Sequence, residues 1–416
     1  MSYKKQISPL LNDLKTYNKG FLKRDLVAGL TIGVMLVPQG MAYAYLAGLP
    51  PIYGLYGGLV PLLIFAFFGS SRQLSIGPVA VSALLILAGV SPLAEVGSAE
   101  YIELVILAGL LIGLLQILLG FLRLGFLVNF ISHPVISGFT SAAAVIIVIS
   151  QLKDILGCQI PRLEHAHETV GYVYQHIHET HLFTLLVCLG TLLLMIILRY
   201  VNRSIPYALI VVVLGTVLSY FFGLEERGVA IVGEVPSGLP GFQIPVISWE
   251  RLSDLLPVVL TVTLIGIVES IGIAKLMDSK YSYYNLRPNH ELIALGLSKL
   301  GGAFFQALPT SGSFTRSAIA HEVKARTQMA SVVTFVLIFL SLLFLTSWFY
   351  YLPKAVLAAI ILMAVKSLFD IKEARHLWKI HKRDFAMMMA TFICTLILGI
   401  ETGVLIGVVL SLMLVL

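Results

Sequence analysis

Apolar runs long enough to cross a bilayer recur along the whole chain, and two of them are interrupted by Gly and Pro. Backbone N–H and C=O groups find no water in lipid. A spanning segment must therefore be helical or part of a closed barrel, and irregular backbone survives only inside protein or beside a cavity. The sharper interruption is Ala307-Leu-Pro-Thr-Ser-Gly-Ser-Phe-Thr-Arg316. Pro309 and Gly312 belong to helix starts and loops, not helix interiors. The pattern predicts a short helix from Phe314 to about Val323. Its counterpart is Ser75-Ile-Gly-Pro-Val-Ala-Val-Ser82, where Gly77-Pro78 precedes a second short helix, from Pro78 to about Ser91. Each helix would start part-way through the membrane, with free N–H groups and a positive dipole end facing inward. Such an end is a seat for an anion. Two interrupted segments in corresponding places of two halves point to a transporter's binding site.

Composition agrees. The chain has 416 residues, 58% hydrophobic and 12% charged, with a mean hydropathy of +0.93. A soluble globule carries about 25% charged residues. The net charge of +6 comes from basic loops and gives no reason to expect nucleic acid. Met1 to Arg24 holds Lys4, Lys5, Lys15, Lys19, Lys23 and Arg24, with a weak stripe of Leu10, Leu11 and Leu14. This reads as a cytosolic segment near the membrane surface, with no cleavable signal peptide. Cys158, Cys188 and Cys394 lie far apart, and the last two fall in apolar runs as small core residues.

Fourteen segments are expected. The first seven are Leu26–Leu49, broken at Pro38-Gln39-Gly40, then Ile52–Phe68, Pro78–Ser91, Tyr101–Leu122, Leu127–Leu152, Leu182–Leu198 and Ile205–Phe222. The second seven are Leu255–Leu276, His290–Phe305, Phe314–Val323, Thr327–Phe349, Ala355–Phe369, Phe385–Leu398 and Gly403–Leu416. Long polar connections cover Lys153–His181 and Gly223–Arg251. An odd number of crossings per half inverts the second half relative to the first. With the N-terminus inside, most basic residues then fall on the cytosolic side. The opposite side receives Lys153, Arg162, Arg227, Arg251, Lys299 and Lys354.

A few residues could carry chemistry. Arg316 lies one turn into the anion-seat helix, and a central charge costs about 2.5–3.5 kcal/mol on insertion scales. The alternative role is a structural ion pair with an acid such as Glu269. Thr310, Ser311, Ser313 and Thr315 offer hydroxyls, or else only the small volume that lets helices pack. Glu269, central in its span, can carry a proton or be permanently paired with Arg316. Gln39 has an amide able to donate to an oxyanion, and Tyr43 follows one turn on. His165, His167, His176, His178 and His181 crowd one loop without the ordered spacing of a zinc site, so no metal is expected. Asp370 and Glu401 read as caps or dipole partners. Gly29/Gly33, Gly109/Gly113 and Gly403/Gly407 read as close-packing pairs. No nucleophile–base grouping, phosphate loop or HExxH is present, so neither an enzyme nor a cofactor is expected.

The stretch Val37-Pro-Gln-Gly-Met-Ala-Tyr-Ala-Tyr-Leu-Ala-Gly-Leu-Pro-Pro-Ile-Tyr-Gly-Leu-Tyr56 resembles the signature of the SulP family of sulfate permeases and related anion transporters. So do Ser75–Val81, Asn129-Phe-Ile-Ser-His-Pro-Val-Ile-Ser-Gly-Phe139 and Ala307–Arg316. The resemblance covers essentially the whole chain. It implies an all-α membrane fold of fourteen segments in seven-plus-seven inverted repeats, with short half-helices at positions three and ten. A core domain, 25–152 with 253–350, would move against a gate domain, 153–252 with 351–416, in an elevator-like step. By position, Gln39, Tyr43, Gly77, Pro78, Val79, Ala80, Ser313, Phe314, Thr315 and Arg316 would bind the anion. Glu269 falls where proton-coupled relatives carry their acid. In the sodium-coupled bicarbonate branch that position resembles Asp with Thr one turn later, whereas Glu269 with Ile273 favours protons over sodium. Family members usually carry a STAS domain after the last span and commonly pair as homodimers. This chain ends at Leu416 inside an apolar run, as a chain shortened to its membrane part would.

These readings lead to an expected secondary active transporter of a small inorganic oxyanion, sulfate first, in the inner or plasma membrane and coupled to protons. Bicarbonate or dicarboxylate symport, chloride/bicarbonate exchange and channel-like conduction are the alternatives.

Overall fold

The computed structural model describes residues 8–126, 132–161, 166–202, 206–234, 238–247, 249–281 and 286–399, and a few between 402 and 411. It is built almost wholly of helices. The first group is α1 Pro9–Leu14, α2 Lys19–Leu46, α3 Ile52–Tyr56, α4 Val60–Phe68, the two-residue strand β1 Ile76–Gly77, α5 Ala80–Val90 and α6 Ala99–Phe121. The second is α7 His133–Ser150, α8 Leu152–Leu156, α9 Ala166–Gln175, α10 Leu182–Val201 and α11 Tyr207–Phe222. The third is α12 Trp249–Asp278, α13 Pro288–Phe304, β2 Ser311–Gly312, α14 Phe314–Glu322 and α15 Met329–Phe344. The last is α16 Lys354–Val365, α17 Ile371–Ile380 and α18 Lys382–Leu398. Five helices among the described residues are long and apolar enough to cross a bilayer, α2, α6, α10 and α12 among them.

Contacts divide the chain into two units, 1–128 with 236–346 and 129–235 with 347–416. The division falls before α7. Helix α7 packs on α18, where a Cβ on Gly138 would lie 2.3 Å from the carbonyl of Met388.

Glycine is what brings the helices of the first unit together. A Cβ on Gly54 would sit 1.8 Å from the carbonyl of Gly40, and one on Gly29 2.4 Å from that of Ala330. A reciprocal crossing joins α6 to α13: Gly113 and Gly296 face each other, with an added Cβ 2.8 and 2.6 Å from the partner's carbonyl. Such contacts let backbones approach within dispersion range where the hydrophobic effect supplies no drive. Buried carboxylates hold the connectors. Asp25 of α2 accepts from Arg326 N at 2.6 Å, Thr327 N at 3.2 Å, Thr327 Oγ1 at 2.6 Å and the Tyr17 hydroxyl at 3.0 Å. Glu291 of α13 accepts from Ser70 N at 2.7 Å and Ser71 N at 3.2 Å. Gln328 Nε2 donates to the carbonyls of Ser71 and Leu74, and Gln73 Nε2 to that of Ala325. The connector before β1 is thereby tied to the one after α14. Arg72 pairs with Asp13 of α1, whose carboxyl burial pushes up and the guanidinium pulls back.

In the second unit Cys188 packs on Ala355 and Ala359 as a small core residue. Helix α17 arises where a loop was expected. Asp370 caps it, accepting from Glu373 N at 3.0 Å, and Ile371, Trp378 and Ile380 are left exposed. His181 caps α10 and His176 stacks on Tyr172. His165, Glu401, Asn129–Ile131, Arg162 and most of Gly403–Leu416 lie outside the described residues.

Three expectations are corrected here. Helix α2 runs unbroken through Pro38, because neighbouring segments in a buried bundle can satisfy the one carbonyl that proline frees. Ile52–Phe68 is two helices, parted at Gly57-Gly58-Leu59. Lys299 belongs to no external loop: it is 3% exposed inside α13.

Gly296→Val should therefore lower thermal stability in detergent by about 1–3 kcal/mol through overpacking against α6. Gly171→Ala, in α9 where an added Cβ meets nothing within 4 Å, should leave it unchanged or slightly raised. Equal melting temperatures for Gly296→Val and the parent would contradict the close crossing.

Candidate functional site

The site lies wholly within the first unit. Strands β1 and β2 pair antiparallel, with Ile76 opposite Gly312 and Gly77 opposite Ser311. Ser313 N donates to Ser75 O at 2.9 Å, and Ser75 N donates to Ser317 Oγ at 2.9 Å. Gly312 N donates to Ser270 Oγ of α12 at 2.8 Å, and the hydroxyls of Ser82 and Ser311 meet at 3.1 Å. Each strand runs almost at once into a short helix, so the antiparallel pairing ties the start of α5 to the start of α14. Ser313 caps α14, its Oγ accepting from Arg316 N at 3.4 Å. The N-cap residue of α5 is Val79, which has no side chain able to cap. The first-turn N–H groups of α5 are thus left to other acceptors.

Arg316 is fully buried among these elements. Its Nη1 donates to Pro78 O at 3.2 Å and to Gln39 Oε1 at 3.4 Å. Nε and Nη2 are buried without a hydrogen-bond partner. Gly77 takes φ 154°, and a Cβ there would stand 3.0 Å from Nη2. Glycine at this place lets the guanidinium approach the β1 backbone. Two long bonds to neutral acceptors are poor compensation: leaving a buried charge unpaired costs about 3–5 kcal/mol.

Of the expected residues, Gln39 and Pro78 bond to this group and Gly77 stands beside it. Gln39 turns Oε1 to Arg316, which leaves Nε2 to donate elsewhere. Tyr43 is buried one turn along α2 from Gln39. Val79 and Ala80 are buried at the α5 tip, Thr315 Oγ1 lies 3.2 Å from Ser313 Oγ, and Phe314 is exposed. Thr310 Oγ1 is buried without a partner.

Glu269 is half-buried on α12, and its Oε2 is enclosed without a partner. Among the described residues no ion pair joins it to Arg316. Permanent pairing, the structural alternative for both residues, is not what this arrangement holds. Sequence reasoning missed Lys299 and Gln116, which bond to each other at 3.0 Å. The signal was available, since a Lys and a Gln inside apolar runs are unusual.

A profile of the sulfate permease family matches residues 22–391. Sulfate transporter 4.1, chloroplastic, of Arabidopsis thaliana is 43% identical over 417 residues, covering 97% of this chain. The chain spans about 60% of the length of that relative. Among solved structures, SLC26A9 gives a TM-score of 0.93 at 28% identity, covering 99% of this chain and 68% of that one. The transmembrane domain of a cyanobacterium bicarbonate transporter, BicA, gives 0.80 at 22% identity over 95% of this chain and 98% of its own, a likeness of fold. The fold is therefore that of an all-α, multi-pass membrane protein, and the chain belongs to the sulfate permease family, whose members are transporters rather than enzymes.

Proposed function

We propose that this chain carries a small inorganic oxyanion, sulfate first, across the membrane by secondary active transport. The observation that supports this reading most directly is the orphaned half of the Arg316 guanidinium, buried where the starts of α5 and α14 are tied together. Backbone N–H groups of Val79 and Ala80 on one side and of Phe314 and Thr315 on the other would hold the anion. Gln39 Nε2 and the Tyr43 hydroxyl complete the cradle from α2. A dianion meets one full positive charge and two helix dipoles, which together offset much of its lost hydration. The name of the Arabidopsis relative supports sulfate.

Glu269 is the proton carrier in this reading. Its Oε2 is committed to nothing, so it can bind and release a proton without breaking a structural bond. Entry of a proton on Glu269 compensates the charge of the anion. The unit that holds the seat then shifts across the membrane as an elevator, with the second unit as gate. The full-length protein pairs as a homodimer, and the halves are seven-plus-seven inverted repeats.

Arg316→Ala should lower sulfate uptake into proteoliposomes about tenfold or more, since a charge-assisted bond contributes about 1.5–3 kcal/mol. Unchanged flux in a folded variant would remove this mechanism. Gly77→Val should have a smaller effect in the same direction, by pushing the guanidinium off β1. Glu269→Gln should make uptake indifferent to a pH gradient, and full retention of acid stimulation would refute the coupling role. Sulfate, bicarbonate, dicarboxylate and chloride compete as substrates in the same assay. Large unitary currents in bilayer recordings would instead mark a conductor.

A further inference from the structure

The crossing of α6 and α13 at Gly113 and Gly296 has a second consequence. Each glycine is followed one turn later, on the same helix face, by a polar residue: Gln116 on α6 and Lys299 on α13. Lys299 Nζ donates to Gln116 Oε1 at 3.0 Å. Lys299 is 3% exposed and Gln116 not at all. The other end of the amide, Gln116 Nε2, is buried without a partner. It lies 3.7 Å from the point a Cβ on Gly266 would occupy, and Ser311 Oγ lies 3.1 Å from that point. Gly266 is on α12, and Glu269 stands three residues further along it. The Lys299–Gln116 pair therefore abuts the stretch of α12 that carries Glu269, beside the strand that precedes α14.

We infer that Lys299, held in place by Gln116, is a positioning residue of the coupling step: its charge sets the pH at which Glu269 takes up its proton. The inference rests on Glu269 being the coupling acid. One neutral amide is weak compensation for a buried ammonium, and a carboxylate on the adjoining helix supplies the rest. No direct contact is needed, because Coulomb forces reach further in a low-dielectric interior than in water. The surroundings hold few competitors. Helix α14 brings Arg316, α13 brings Lys299, and α2 brings Tyr43 beside Arg316. Helix α5 and strand β2 contain no titratable residue, and α6 presents Gln116 at this level.

The arrangement divides the work between two cations. Arg316 keeps two nitrogens unpaired, while Lys299 balances Glu269. Once Glu269 is protonated, both cations lack a counter-charge, which favours a dianion over a monoanion. Proton and dianion then promote each other's binding, as linkage requires.

A cation near Glu269 favours its charged form, so neutralising Lys299 lets the proton bind at higher pH. Sulfate uptake by the purified chain in proteoliposomes, measured against external pH, reads this directly. Lys299→Met should move the midpoint of acid stimulation up by about one pH unit, and Lys299→Arg should restore the parent midpoint. Uptake that falls with an unmoved midpoint would make Lys299 structural and overturn the inference. Should Lys299→Met not fold, the near-isosteric Gln116→Glu adds a negative charge at the same place and should also move the midpoint up; no movement overturns it equally. If the parent is acid-stimulated and Glu269→Gln remains so, Glu269 is not the coupling acid and this inference falls with that reading. A responsive Glu269 with an unresponsive Lys299 sinks the inference alone.

Discussion

Everything at the site depends on two residues of β1 lying antiparallel to two of β2 inside a bundle of membrane helices. Extended backbone in lipid would leave its N–H and C=O groups unsatisfied at several kcal/mol each. Here each interruption supplies the other's partners, and Ser270, Ser317 and the Ser75 carbonyl supply the rest.

The buried charges of the first unit differ in what they hold. Asp25 accepts from four donors, and Glu291 spans the Ser70–Ser71 backbone. Both secure the connectors on which β1 and α14 hang, and neither has spare capacity on those oxygens for a ligand. Arg316, Glu269 and the second oxygen of Glu291 are enclosed without a hydrogen-bond partner. A folded chain tolerates such groups where their partners arrive from outside. Lys299 is tied to an amide yet short of a counter-charge.

Much of this was legible from residue types. Pro309, Gly312 and the run after them mark α14 to within a residue, because helix starts have strong local chemistry. Arg316 stood out since a charge in an apolar run has few explanations. The glycine pairs announced close packing, and Gly113 indeed meets α13. Pro38 misled, because local chemistry predicts a break that neighbouring segments in a bundle can repair. Lys299 misled for a related reason: charge near the end of an apolar run reads as loop until the crossing helix that buries it is known.

The chain by itself determined that it must live in a membrane, where its helices start, and which few polar residues lie among apolar ones. Those are consequences of local composition and of backbone chemistry that lipid enforces at every position. Which residues meet was decided only in three dimensions. Gln39, Pro78 and Arg316 come from segments 39 and 238 residues apart and touch only because β1 pairs with β2. Lys299 reaches Gln116 across 183 residues because Gly113 and Gly296 let two backbones nearly touch. Periodicity records which face of a helix is apolar, but not which partner that face will find.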